Sequence, residues 1–103
     1  MRVALLVSTD LAWAVELART WKDKGDEVTL VLLDGAAAAT RQGHLRAPVV
    51  RDALGLGIAV LAHDDALRRR AIRAHRILEG VKAVDLDEVA DLVTDGAEKV
   101  VWL

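Results

Sequence analysis

Gly57-Ile58-Ala59-Val60-Leu61-Ala62-His63-Asp64-Asp65-Ala66-Leu67-Arg68-Arg69-Arg70-Ala71-Ile72 changes character at its middle. The apolar run Ile58 to Ala62 is too short for a helix and is followed by turn-formers, so it predicts a buried strand. Beyond His63, residues Leu67, Ala71, Ala74 and Leu78 fall within about 60° of one another on a helical wheel, with Arg69, Arg73 and Arg76 opposite. The spacing predicts a helix that begins near Asp64 and runs on through Leu78, showing solvent a basic face. In an open α/β sheet, the point where a strand hands over to a helix is where backbone N–H groups and the helix dipole converge on ligands. Residue 63 is therefore the centre of the candidate site.

The same alternation extends in both directions. Upstream, Arg2 to Ser8 is nearly continuous apolar sequence, as in a strand covered on both faces. Ser8, Thr9 and Asp10 then offer caps for an amphipathic helix from Leu11 to Lys24, stopped by Gly25. Glu27 to Leu33 predicts a second strand, Ala36 to Thr40 a short helix, and Ala47 to Leu54 another, with Pro48 in its first turn. Downstream, Val81 to Val84 predicts a fourth strand. Asp85 and Glu88 form a capping pair for a helix over Leu86 to Thr94, and Lys99 to Leu103 is the last strand. Right-handed crossovers turn this order into a single small domain, residues 1–103: a three-layer α/β/α sandwich around a mainly parallel five-stranded sheet.

Composition narrows the chemistry. The chain has 103 residues, 53% of them hydrophobic and 29% charged, with a net charge of −2. That balance gives no general pull toward nucleic acid or membrane. No apolar run reaches the roughly 18 residues of a membrane helix, and the first residues carry no signal-peptide cleavage pattern, which places the protein in the cytoplasm. There is no cysteine. Disulfides, thiolate metal sites and every mechanism that attacks with a protein thiol are thereby excluded.

Four strand ends bear polar groups: Ser8-Thr9-Asp10, Asp34-Gly35, His63-Asp64-Asp65 and Asp85. Brought together, they could bind a divalent cation or move protons. Asp is also the preferred cap after a strand, and a cap needs no partner beyond the helix it starts. His63 has no second His, Cys or spaced carboxylate that would complete a metal or triad signature, so no metal and no cofactor is expected. Trp13, at the edge of the apolar arc of its helix, fits either rim packing or a subunit contact. No acid occurs among residues 66–78, whereas residues 85–98 carry six acids. The default reading of such segregation is a solvated helix face; it also suits the opposed faces of adjacent subunits or RNA phosphates.

Gly25-Asp26-Glu27, Leu30, Leu32, Asp34-Gly35, Ala38-Ala39, Ile58, Val60, Ala62, Asp64-Asp65, Leu67, Arg70, Ile72, Val84-Asp85, Leu92 and Trp102 together resemble the DsrH/TusB branch of the DsrE/DsrF/DsrH-like sulfur-relay proteins. The likeness is a spaced pattern covering about three quarters of the chain, from Gly25 onward. It implies the small α/β/α fold and hetero-oligomers of DsrE-, DsrF- and DsrH-type chains, or homo-oligomers. Such complexes pass persulfide sulfur toward tRNA wobble-uridine thiolation or sulfur oxidation. In the sulfur-carrying subunits a cysteine stands five residues before the Leu of an Ala-Leu-Arg-Arg-Gly segment. Here that position is Ala62, and Ala71 replaces the Gly, so the helix is expected to continue where relatives turn. The resemblance thus implies a non-catalytic subunit that contributes scaffold, with tRNA contact at most indirect. A reading from another class is a free-standing homo-oligomer that binds or transforms a small molecule at the rim around His63.

Overall fold

The computed structural model describes residues 1–103. Its five strands are β1 Arg2–Val7, β2 Glu27–Leu32, β3 Ala59–His63, β4 Lys82–Val84 and β5 Lys99–Trp102. They form one sheet in the order β4-β3-β2-β1-β5, and every pairing is parallel. The helices are α1 Leu11–Asp23, α2 Asp34–Ala37, α3 Ala47–Gly55, α4 Asp64–Arg69 and α5 Leu86–Asp91. A 3₁₀ turn, Ala38–Thr40, extends α2, and a π turn, Leu92–Gly96, extends α5. This is the α/β/α sandwich that the alternating pattern predicts.

The strand order decides how the layers fill. From β1 to β4 the chain steps one way across the sheet, and a right-handed crossover at each step sends its helices to the same face. Val3, Leu5 and Val7 of β1 share that face with Val28, Leu30, Leu32, Val60 and Ala62, and with buried residues of α1 to α4 they form a core of 23 buried residues. From β4 the chain returns to pair β5 with β1, which puts α5 on the other face. There only four buried residues, Leu6, Val31, Val84 and Val89, make the core. Fully burying a leucine such as Leu5, Leu30 or Leu32 contributes about 1.5–3 kcal/mol relative to exposure, so the first face dominates stability.

The predicted helix from Asp64 through Leu78 is corrected by the structure: α4 ends at Arg69. The amide of Ala71 donates to the carbonyl of Arg68, and that of Ile72 to the carbonyl of Leu67, both at 3.0 Å. These are the two bonds of a Schellman stop, whose pivot residue must be left-handed. Ala71 accordingly has φ +55°. The same two bonds close α1 around Gly25 (φ +91°) and α3 around Gly57 (φ +82°). Helical periodicity loses to burial here, because the stop turns Ile72 inward beside Leu67. The segment beyond it runs irregularly to a 3₁₀ turn at Ala74–Arg76, so Arg69, Arg73 and Arg76 do not share a helical face. Smaller shifts take His63 into β3 and end α5 at Asp91.

Candidate functional site

Sheet order sets the sequence of groups along the carboxyl rim: Asp85 after β4, His63-Asp64 after β3, Asp34-Gly35 after β2, Ser8-Thr9-Asp10 after β1, and Trp102-Leu103 at the end of β5. Ser8 is the junction of three of these. Its amide donates to the Leu103 carbonyl at 2.9 Å, its carbonyl accepts from the Ala36 amide at 3.2 Å, and its Oγ accepts from Trp102 Nε1 at 3.3 Å. Thr9 is exposed.

Each rim carboxylate has an occupation. Asp10 caps α1, accepting from the Trp13 amide at 3.2 Å. Asp85 caps α5 in a complete capping box with Glu88. The other two do not cap. Asp64 lies 3.5 Å from Arg68, and Asp34 lies 3.8 Å from Arg69, whose Nε reaches Asp65 at 3.1 Å. A ladder of ion pairs therefore ties the end of β2 to α4. Its members are largely exposed, so each pair is worth at most about 1 kcal/mol. Asp34 is also left-handed, with φ +46°, a conformation that Asp tolerates better than most residues.

The rim does not gather its imidazole with its acids. His63 ends β3 in register with Val84, on the α5 face, and makes no side-chain hydrogen bond or ion pair. No three His, Cys, Asp or Glu side chains are grouped as a metal would need. Ala62 points the other way, fully buried in the larger core. Two open clefts occur elsewhere: one of about 370 Å³ between Gln42, Arg51, Leu54, Leu78 and Glu79, and one of about 290 Å³ at the amino ends of β2 and β3.

Trp13 stands 55% exposed on the first turn of α1, and Arg73 and Arg76 are exposed without ion-pair partners. Sequence reasoning missed two features. Trp102, 70% exposed, reaches over Ser8, and the alternation Lys99, Val100, Val101, Trp102 places it on the α5 face beside Val100. The polar loop at residues 41–46 is pinned to residues 75–78 rather than free, with Gln42 as the pin.

No family model matches the sequence, and no curated protein matches it. Solved structures do match. The chain is similar to the ychN protein from E. coli, with a TM-score of 0.83 and 16% identity over 100% of this chain and 99% of that one. It is similar to MTH1491 from Methanobacterium thermoautotrophicum, described as a protein of unknown function, with a TM-score of 0.86 and 17% identity over 99% and 98%. BT1422 from Bacteroides thetaiotaomicron, a conserved protein of unknown function, gives 0.82 and 16% over 99% and 94%. The chain has a DsrE-like fold.

Proposed function

We infer that this chain is a non-catalytic, DsrH/TusB-like subunit of a cytoplasmic sulfur-relay complex, one that lends shape and surface to an oligomer serving tRNA wobble-uridine thiolation or sulfur oxidation. The observation that carries this reading is a DsrE-like fold spanning the whole chain in a sequence with no cysteine. Relay of sulfane sulfur needs a thiolate to attack and to hold the persulfide, and no side chain here can do either. What remains to offer is surface. Trp13 is free to meet DsrE- and DsrF-like partners, while Arg69 is engaged with Asp34 and Asp65. Contact with tRNA is then made by the complex rather than by this chain.

The test is capture of the tagged chain from its native host after mild cross-linking, paired with a sulfane-sulfur assay on the purified chain. Cysteine-bearing DsrE- or DsrF-like chains are expected in the captured fraction, and no bound sulfur on the chain alone. Absence of any such partner, or transfer of sulfane sulfur by the isolated chain, refutes the reading.

A further inference from the structure

Residues 36–51 hold Arg41, Arg46 and Arg51 with no acid, and residues 66–78 hold five arginines with no acid. The fold clamps these two stretches together. Arg41 bridges to Ile77, the Gln42 amide donates to the Arg76 carbonyl at 2.7 Å, its side chain reaches the carbonyls of His75 and Ile77, and the Leu78 amide donates to the Thr40 carbonyl at 2.8 Å. The result is one basic surface on the α1 to α4 side of the sheet. Arg41, Arg46, Arg51, Arg73 and Arg76 take part in no ion pair within the chain. Leu45, 89% exposed, projects from the same loop.

The opposite face has the converse character. Residues 85–98 carry six acids and no base. Asp87, Asp91 and Asp95 are exposed and unpaired, and Leu86 is 67% exposed at the start of α5. Because α5 packs on the far side of the sheet, the two surfaces cannot neutralise one another within a single molecule. Each combines an uncovered leucine with an excess of charge of one sign, Glu79 beside Arg51 on the first and Lys82 paired with Glu88 on the second being the exceptions, the composition of an apolar contact inside a charged rim.

We propose that these surfaces are two halves of one head-to-tail contact, in which the α5 face of one copy docks on the Arg41, Arg73 and Arg76 surface of the next. Charge complementarity selects a second copy as the partner. A nucleic acid would have to approach a chain of net charge −2, and no Trp, Tyr or Phe lies in residues 36–51 or 66–78 to stack a base. The acidic face of another copy is present wherever the basic one is. A heterologous contact of this kind closes into a ring when its rotation allows and otherwise grows into a filament.

The experiment uses the purified chain alone, so it can fail while capture of cysteine-bearing partners succeeds, and the reverse. Mass-resolved sedimentation is run from low salt to about 1 M, where the screening length falls to about 3 Å. Self-association is expected at low salt and its loss at high salt. The double variants Arg73→Glu/Arg76→Glu and Asp87→Arg/Asp91→Arg, each checked for a native circular dichroism spectrum, are expected to self-associate at least about tenfold more weakly, since like charges then face each other. Mixing the two variants pairs reversed faces and is expected to restore assembly. A monomer at every salt overturns the proposal, as does an assembly indifferent to both reversals. Monomeric wild type that binds a single-stranded oligonucleotide through Arg73 and Arg76 assigns the surface to a polyanion instead, and overturns it too.

Discussion

Replacing Ala71 with glycine should stabilise this protein, against the ordinary direction of an Ala→Gly change. Ala71 occupies the pivot of a Schellman stop at φ +55°, the position that Gly25 and Gly57 hold in the equivalent stops of α1 and α3. A left-handed conformation costs an L-residue with a Cβ about 1–2 kcal/mol, because the Cβ crowds the following carbonyl. Glycine removes that cost but enlarges the freedom of the unfolded chain by about 0.4–1 kcal/mol. The difference leaves a net gain of about 0.5–1 kcal/mol, which for a domain of this size raises the midpoint of thermal unfolding by about 3–6 °C. Ala90, exposed inside α5, supplies the control, since glycine there is expected to destabilise by about 1 kcal/mol through helix propensity alone. Both variants are compared by urea denaturation with unchanged slope. If Ala71→Gly destabilises as Ala90→Gly does, the chain is helical through residue 71 and the stop described here is wrong.

Other substitutions test separate contacts. Asp85→Ala removes the cap and the capping box of α5 and should cost about 1 kcal/mol in denaturant unfolding. Thr40 is the one fully buried polar residue, and its Oγ1 donates to the Ala37 carbonyl at 2.7 Å. Thr40→Val keeps the volume and is expected to lose about 1 kcal/mol, whereas exposed Thr20→Val should change little. Ala62→Cys places a thiol where the side chain is wholly buried, so a bulky thiol reagent should label it only in denaturant. Rapid labelling of the native protein would contradict the packing of β3.

Strands and helix starts were legible because the signals that make them are local. The apolar runs of β1 to β3, the Asp10 cap and the Asp85–Glu88 capping box occur where the residues suggest, within a residue or two. The end of α4 was hidden because alanine is the strongest helix former. Nothing near Ala71 announces a stop whose reason, the burial of Ile72 and Leu78, is tertiary. The lopsided core was likewise not visible, since it follows from β5 pairing with β1 rather than with β4. At the rim, capping was the right account for Asp10 and Asp85. Asp34 and Asp64 instead face arginines of α4, a pairing fixed only once β2 and β3 lie side by side.

The return of β5 to the far edge has a kinetic corollary. The contact between Met1 and Asp26 closes a span of 25 residues, whereas that between Arg2 and Glu98 closes 96. Loop-closure entropy makes the longer span costlier by about 1.2 kcal/mol, so β5 should dock last and detach first, and its amides should exchange with solvent ahead of those of β2 and β3. Each detachment bares the flank of the apolar strand β1, a template that a neighbour's β5 fits as well as its own. Concentrated protein therefore has a built-in route to exchanging this strand between molecules.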